Sequence, residues 1–160
     1  MNRWTIFALL CVSILSGCTA TARLYPVQGP LSTQTPPPVY VGKMTDGLHS
    51  GAFSAVLNDG EVFKGRWELV RRPNNAKDAA ATGAPSAGSM SAEWDLVFGQ
   101  GFYVAHVLGA RLYGRAELTG SRGTILNVEL YKSDNAKEDA PGSVKGVAKD
   151  NKNNIYKVAF

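Results

Sequence analysis

The sequence predicts a mainly β protein. The expected fold is a small antiparallel β-barrel or sandwich of about eight strands built from consecutive hairpins. One short helix near 91–98 and an N-terminal signal helix complete it. Three observations carry this expectation. From residue 39 onward, apolar and polar residues alternate with period two, the pattern of antiparallel strands with one buried face. Turn-forming clusters at Asp59-Gly60, 120–123 and 150–154 separate the alternating runs, as hairpin connections require. The 160 residues, 44% hydrophobic, are enough for a single domain with one apolar core and too few for two.

The elements follow in chain order. Residues 1–3 form a short n-region made basic by Arg3, and residues 4–15 form an uncharged apolar run. That run is shorter than the roughly 20 residues a membrane-spanning helix needs and matches the core of an export signal. Residues 18–38 contain Pro26, Pro30, Pro36, Pro37 and Pro38 among Ser, Thr, Gln and Gly. This composition reads as an extended tether at roughly 3.1 Å per residue. The domain is then expected over 39–160, with strands at 39–44, 51–57, 61–70, 102–108, 111–119, 124–131, 144–149 and 155–160. Gly65 and Gly114 fall inside two of these strands and point to bulges or close packing. Residues 71–90 are small, polar and alanine-rich, the composition of a flexible insertion. Residues 91–98 fit a helix capped by Ser91 and ended by Gly99, with Trp94, Val97 and Phe98 on one face. The alternation Trp94, Leu96, Phe98 also fits a strand.

The segment Leu15-Ser16-Gly17-Cys18 resembles the lipobox of bacterial lipoproteins. The resemblance implies cleavage before Cys18, leaving residues 1–17 as a discarded signal peptide, and diacylation of the Cys18 thiol. Two or three acyl chains make a stable membrane anchor. Thr19, where Asp would retain a lipoprotein in the inner membrane, implies the outer membrane facing the periplasm. Cleavage removes Cys11 and lipidation consumes Cys18, so the folded domain would have no disulfide. A shorter stretch, Gly51 with Asp59-Gly60-Glu61-Val62-Phe63-Lys64-Gly65-Arg66-Trp67, is similar to one MORN-type hairpin. It lacks a convincing second copy, and no function is carried over from it.

Candidate chemistry is sparse. His49 and His106 are the two histidines, and neither has further ligands at metal-binding spacing. His106, in the expected strand at 102–108, reads as a buried structural side chain. Glu93/Asp95 and Asp59/Glu61 are the closest acidic pairs and could serve acid–base work on a glycan, or a helix terminus and solvated turns. Lys64, Arg66, Arg111 and Arg115 project from the polar faces of two expected strands. They form either a patch for an anionic partner or a solvated face neutralised by Glu68 and Glu117. The expectation is a non-enzymatic, lipid-anchored envelope protein, without cofactor, metal or nucleic-acid partner, that binds an envelope protein or anionic polymer. Its alternatives are a barrel for a small apolar ligand and a glycan-acting enzyme.

Overall fold

The computed structural model describes residues 19–45, 49–57, 59–70, 89–108, 110, 112–132 and 143–160. The fold is a closed barrel of eight antiparallel strands in which each strand pairs with its sequence neighbours and the last pairs with the first. The strands are β1 (Thr19–Gln28), β2 (Tyr40–Thr45), β3 (Ser50–Val56), β4 (Val62–Val70), β5 (Leu112–Gly120), β6 (Ile125–Lys132), β7 (Val144–Asp150) and β8 (Ile155–Ala159). Between β4 and β5 lie α1 (Ser91–Phe98) and a π-helical turn, Tyr103–Val107. The mainly β, eight-stranded barrel with one short helix is therefore the predicted class.

The period-two pattern divides the side chains cleanly. One buried cluster draws members from all eight strands, including Leu24, Tyr40, Phe53, Phe63, Leu118, Val128, Ala148 and Tyr156. Only the lumen can be fed by every wall, so this cluster fills the barrel. The filling is tight. A methyl group at Gly42 would stand 2.8 Å from the Phe53 ring, and one at Gly146 would stand 2.7 Å from Leu130 Cδ2 and 2.9 Å from Val158. Among the described residues the lumen is packed by its own side chains, as expected for a barrel of this strand number. The apolar-ligand alternative thus loses the enlarged interior that it needs.

Two segments differ from expectation, and they exchange roles. Residues 19–28 are strand β1 rather than the start of a tether. Ala22, Leu24 and Pro26 are buried, while Thr21, Arg23 and Val27 are exposed. β1 fills the gap between β2 and β8, and without it the barrel would have two open edges. Pro26 is tolerated because the β1–β8 register shifts between Pro26 and Gln28, and an irregularity of this kind accommodates a missing N–H. The rest of the expected tether is folded back as well. Leu31 N–H donates to Asn154 Oδ1 at 3.0 Å, and Ser32 N–H donates to the Gly29 carbonyl at 3.1 Å.

The second correction concerns 102–108, expected as a buried strand. β4 and β5 pair directly with each other along Phe63–Val70 and Tyr113–Gly120, so the sheet has no vacant place for another strand there. The segment is helical instead, with Leu108 N–H donating to the Tyr103 carbonyl at 2.8 Å. It buries Tyr103 and Val107, four residues apart, and leaves Val104 and His106 exposed. His106 is thus a surface residue, its ring tilted on Phe102 at 4.6 Å between centroids.

The helices brace the barrel from outside. Met90, Trp94, Tyr103 and Val107 pack on Tyr113, Tyr131 and Val147, which have the opposite parity to the lumenal residues of β5, β6 and β7. Trp94, Phe98, Phe102 and His106 form a continuous ring ladder at four-residue spacing, with successive centroids 5.4, 4.8 and 4.6 Å apart. Met90, not Ser91, occupies the N-cap position of α1, and it makes no side-chain capping bond; Gly99, at φ 109°, closes the helix. Of the expected insertion at 71–90, residues 71–88 lie outside the described residues, and Met90 is buried.

Candidate binding groove

The outer faces of β4, β5 and β6 form the floor of an open groove of about 950 Å³ whose rim includes Ser89, Met90 and Glu93 at the start of α1. The strand register sets its charge pattern. Arg66 lies opposite Glu117, then Asn127, then Lys149. In the adjacent row Glu68 lies opposite Arg115, then Glu129. Opposite charges facing each other across strands stabilise the sheet modestly and leave the groove with donors and acceptors of both signs. Of the expected basic patch, Lys64, Arg66 and Arg115 are brought onto one outer face, but each arginine faces a carboxylate. Arg111 and Cys18 lie outside the described residues.

Glu129 organises the groove. It is only 2% exposed, and its cost of burial is met by charge-assisted bonds. Met90 N–H donates to Oε1 at 3.2 Å, and Trp94 Nε1–H donates to Oε2 at 2.8 Å. Arg115 Nη2 stands 3.6 Å from Oε1, and Arg115 Nε donates to the Tyr113 hydroxyl at 3.0 Å. Burial, reinforced by the hydrogen bond to Glu129, holds the Tyr113 phenol far above its ordinary value. One carboxylate thereby pins the helical brace to the wall. Glu93 closes the other side through a 2.7 Å ion pair with Lys149.

The acidic pairs do not converge. Glu93 points to Lys149, whereas Asp95 turns the other way and accepts from Tyr103 N–H at 2.9 Å. That bond, with a second from the Gly101 backbone, lowers the Asp95 pKa. Asp59 pairs with Arg122 at 2.7 Å. Glu61, fully buried, accepts from Thr124 Oγ1 at 3.0 Å and Arg122 N–H at 3.2 Å, with Lys152 Nζ 3.7 Å away. These four carboxylates brace turns and helices.

The burial of Glu129 and of Glu61 was not read from the sequence. Glu129 has no signal there, because it reads as the polar face of β6 and only the helical brace covers it. Glu61 did carry one, since it shares the parity of lumenal Phe63 and Trp67. Among the described residues no three metal-ligating side chains group together, and no helix is long and apolar enough to cross a membrane. In comparisons with known proteins, the chain matches no family model, no curated protein and no solved structure. Fold and groove together define the chain as an up-and-down barrel with a filled lumen, a helical brace and a polar groove on its outer wall.

Proposed function

We propose that this is a lipid-anchored protein of the cell envelope, seated in the outer membrane and facing the periplasm, acting as a non-enzymatic binding or structural module. The anchor is Cys18, and the observation that carries the reading is the order of basic n-region, apolar run and Leu15-Ser16-Gly17-Cys18 directly ahead of the first barrel strand. The groove supports a binding role, because its paired charges suit an envelope protein or polymer that itself offers donors and acceptors. Cys18→Ala tests the anchor: the variant is expected to take up no labelled palmitate, and persistent labelling would overturn the assignment. Photocrosslinkers at Arg66 and Glu117 test the binding role in cells. They are expected to capture one recurrent envelope partner, and repeated absence of any would remove the support.

A further inference from the structure

The charges of the barrel wall are unevenly distributed. On β4, β5 and β6 the outward residues carry both signs. On the four adjacent strands β7, β8, β1 and β2 the charged outward residues are Lys145, Lys149, Lys157, Arg23 and Lys43. No outward acid stands among them, since the single acid of these strands, Asp150, is buried and bonded to Asn154 and Tyr156. Lys149 is engaged by Glu93, whereas Arg23, Lys43, Lys145 and Lys157 are exposed. They are also close in register. Arg23 and Lys145 flank Ala159 from either side, and Lys157 lies opposite Tyr25. Apolar groups fill the spaces between them. Val41, opposite Arg23, is 46% exposed. Lys145 Nζ stands 5.3 Å from the Phe102 ring centre and Lys157 Nζ 5.5 Å from that of Phe98, and such cation–ring contacts hold the ammonium groups in place.

A second observation fixes what meets this wall. β1 is a middle strand of the four, and its first residue, Thr19, is bonded to Cys18. Resting on the anchoring proposed above, we infer that the β1–β2 face, with Lys145 and Lys157 at the margin of the helical brace that covers β7, lies against the anionic phospholipid surface of the membrane that holds the acyl chains. Without a leash between anchor and barrel, the wall is held within reach of the headgroups. Each cation near an anionic surface contributes roughly 5-fold to binding, so four contribute on the order of several hundred-fold, screened by salt. The groove on β4–β6 is thereby turned away from the membrane.

The test places a nitroxide at Val41→Cys on this wall or at Lys64→Cys on the opposite one, in the full chain as cells process it. The protein is reconstituted into phosphatidylethanolamine vesicles with and without phosphatidylglycerol. Accessibility to a water-soluble nickel chelate is expected to fall several-fold at Val41, and not at Lys64, only when phosphatidylglycerol is present. A variant with Arg23, Lys43, Lys145 and Lys157 all changed to Gln, checked for folding by circular dichroism, is expected to lose that protection. Equal accessibility at both sites in a singly labelled chain overturns the orientation and leaves the anchor standing. Protection at Val41 by purified cell-wall polymer, with none from phosphatidylglycerol, overturns it in favour of a polymer surface. A second nitroxide on Cys18 overturns the anchor, and the orientation with it.

Discussion

Replacing Gly65 by alanine puts a methyl group into the backbone of the neighbouring strand. The new Cβ would collide with the Glu117 carbonyl oxygen and stand 2.7 Å from Leu118 Cδ2. The leucine can rotate, but the carbonyl belongs to the β4–β5 ladder and moves only if the strands separate. Overpacking a core costs about 1–3 kcal/mol, and a backbone obstacle places Gly65→Ala near the top of that range. At about 2–4 °C per kcal/mol for a domain of this size, the melting temperature should fall by roughly 6–12 °C. Gly114 supplies the control. It lies on the next strand, yet its added Cβ would meet only ordinary contacts, 3.5 Å from the Glu68 carbonyl and 3.7 Å from Leu130 Cβ. Gly114→Ala should therefore be neutral or stabilising by about 0.5 kcal/mol through the unfolded chain. Urea unfolding followed by tryptophan fluorescence compares the two variants. Unfolding free energies that agree within about 0.5 kcal/mol would refute the close-approach reasoning.

Three further outcomes are expected. Trp94→Phe keeps the ring ladder but strips Glu129 Oε2 of its indole donor, so it should cost about 1–3 kcal/mol and speed hydrogen exchange across α1; unchanged exchange would show that Glu129 does not pin the brace. Burial, and then hydrogen bonding to Glu129 and Asp150 respectively, hold the phenols of Tyr113 and Tyr156 above their ordinary value. Both are protonated in either state below about pH 10. Above it the unfolded chain releases protons that the barrel retains, so stability falls as pH rises; tyrosinate absorbance should show two of the six tyrosines titrating only on unfolding. The Asp95 carboxylate is lowered by the Tyr103 and Gly101 backbone N–H groups, so its contribution is present above the ordinary carboxylate range and is lost as pH falls through the lowered value. Asp95→Ala should speed exchange at the Tyr103 amide and flatten that acid dependence, and an unaltered acid limb would contradict it.

The strands that were legible in the sequence are those where packing and pattern agree. β3 through β4 and β5 through β6 each have an unbroken alternation and a turn cluster between them. β1 was hidden because proline content reads as extended chain, and only the requirement to cover β2 and β8 turns residues 19–28 into a strand. The segment at 102–108 misled in the opposite direction. Phe102, Val104, His106 and Leu108 alternate, but Trp94, Phe98, Phe102 and His106 recur every four residues, and that helical period was the one the fold used. The expected strand number survived because one segment left the sheet as another joined it. The groove was half legible. Arg66 and Arg115 were read on the polar faces of two strands, but their meeting on one outer face and the carboxylates they face depend on strand register, and Glu129 depends on a helix packing outside the barrel. Both are tertiary facts with no local signature.

The pairing of β1 with β8 joins Leu24 to Val158, residues about 130 positions apart in the chain. Contacts of such separation form late and slowly. The barrel cannot close until its final strand has been made and delivered to the same compartment as its first. Until β8 is available the sheet therefore stays open, with β1 and β7 each offering an unpaired edge. Closure thus registers that β8 has been made, and a product lacking that strand would remain sticky and exposed to proteases.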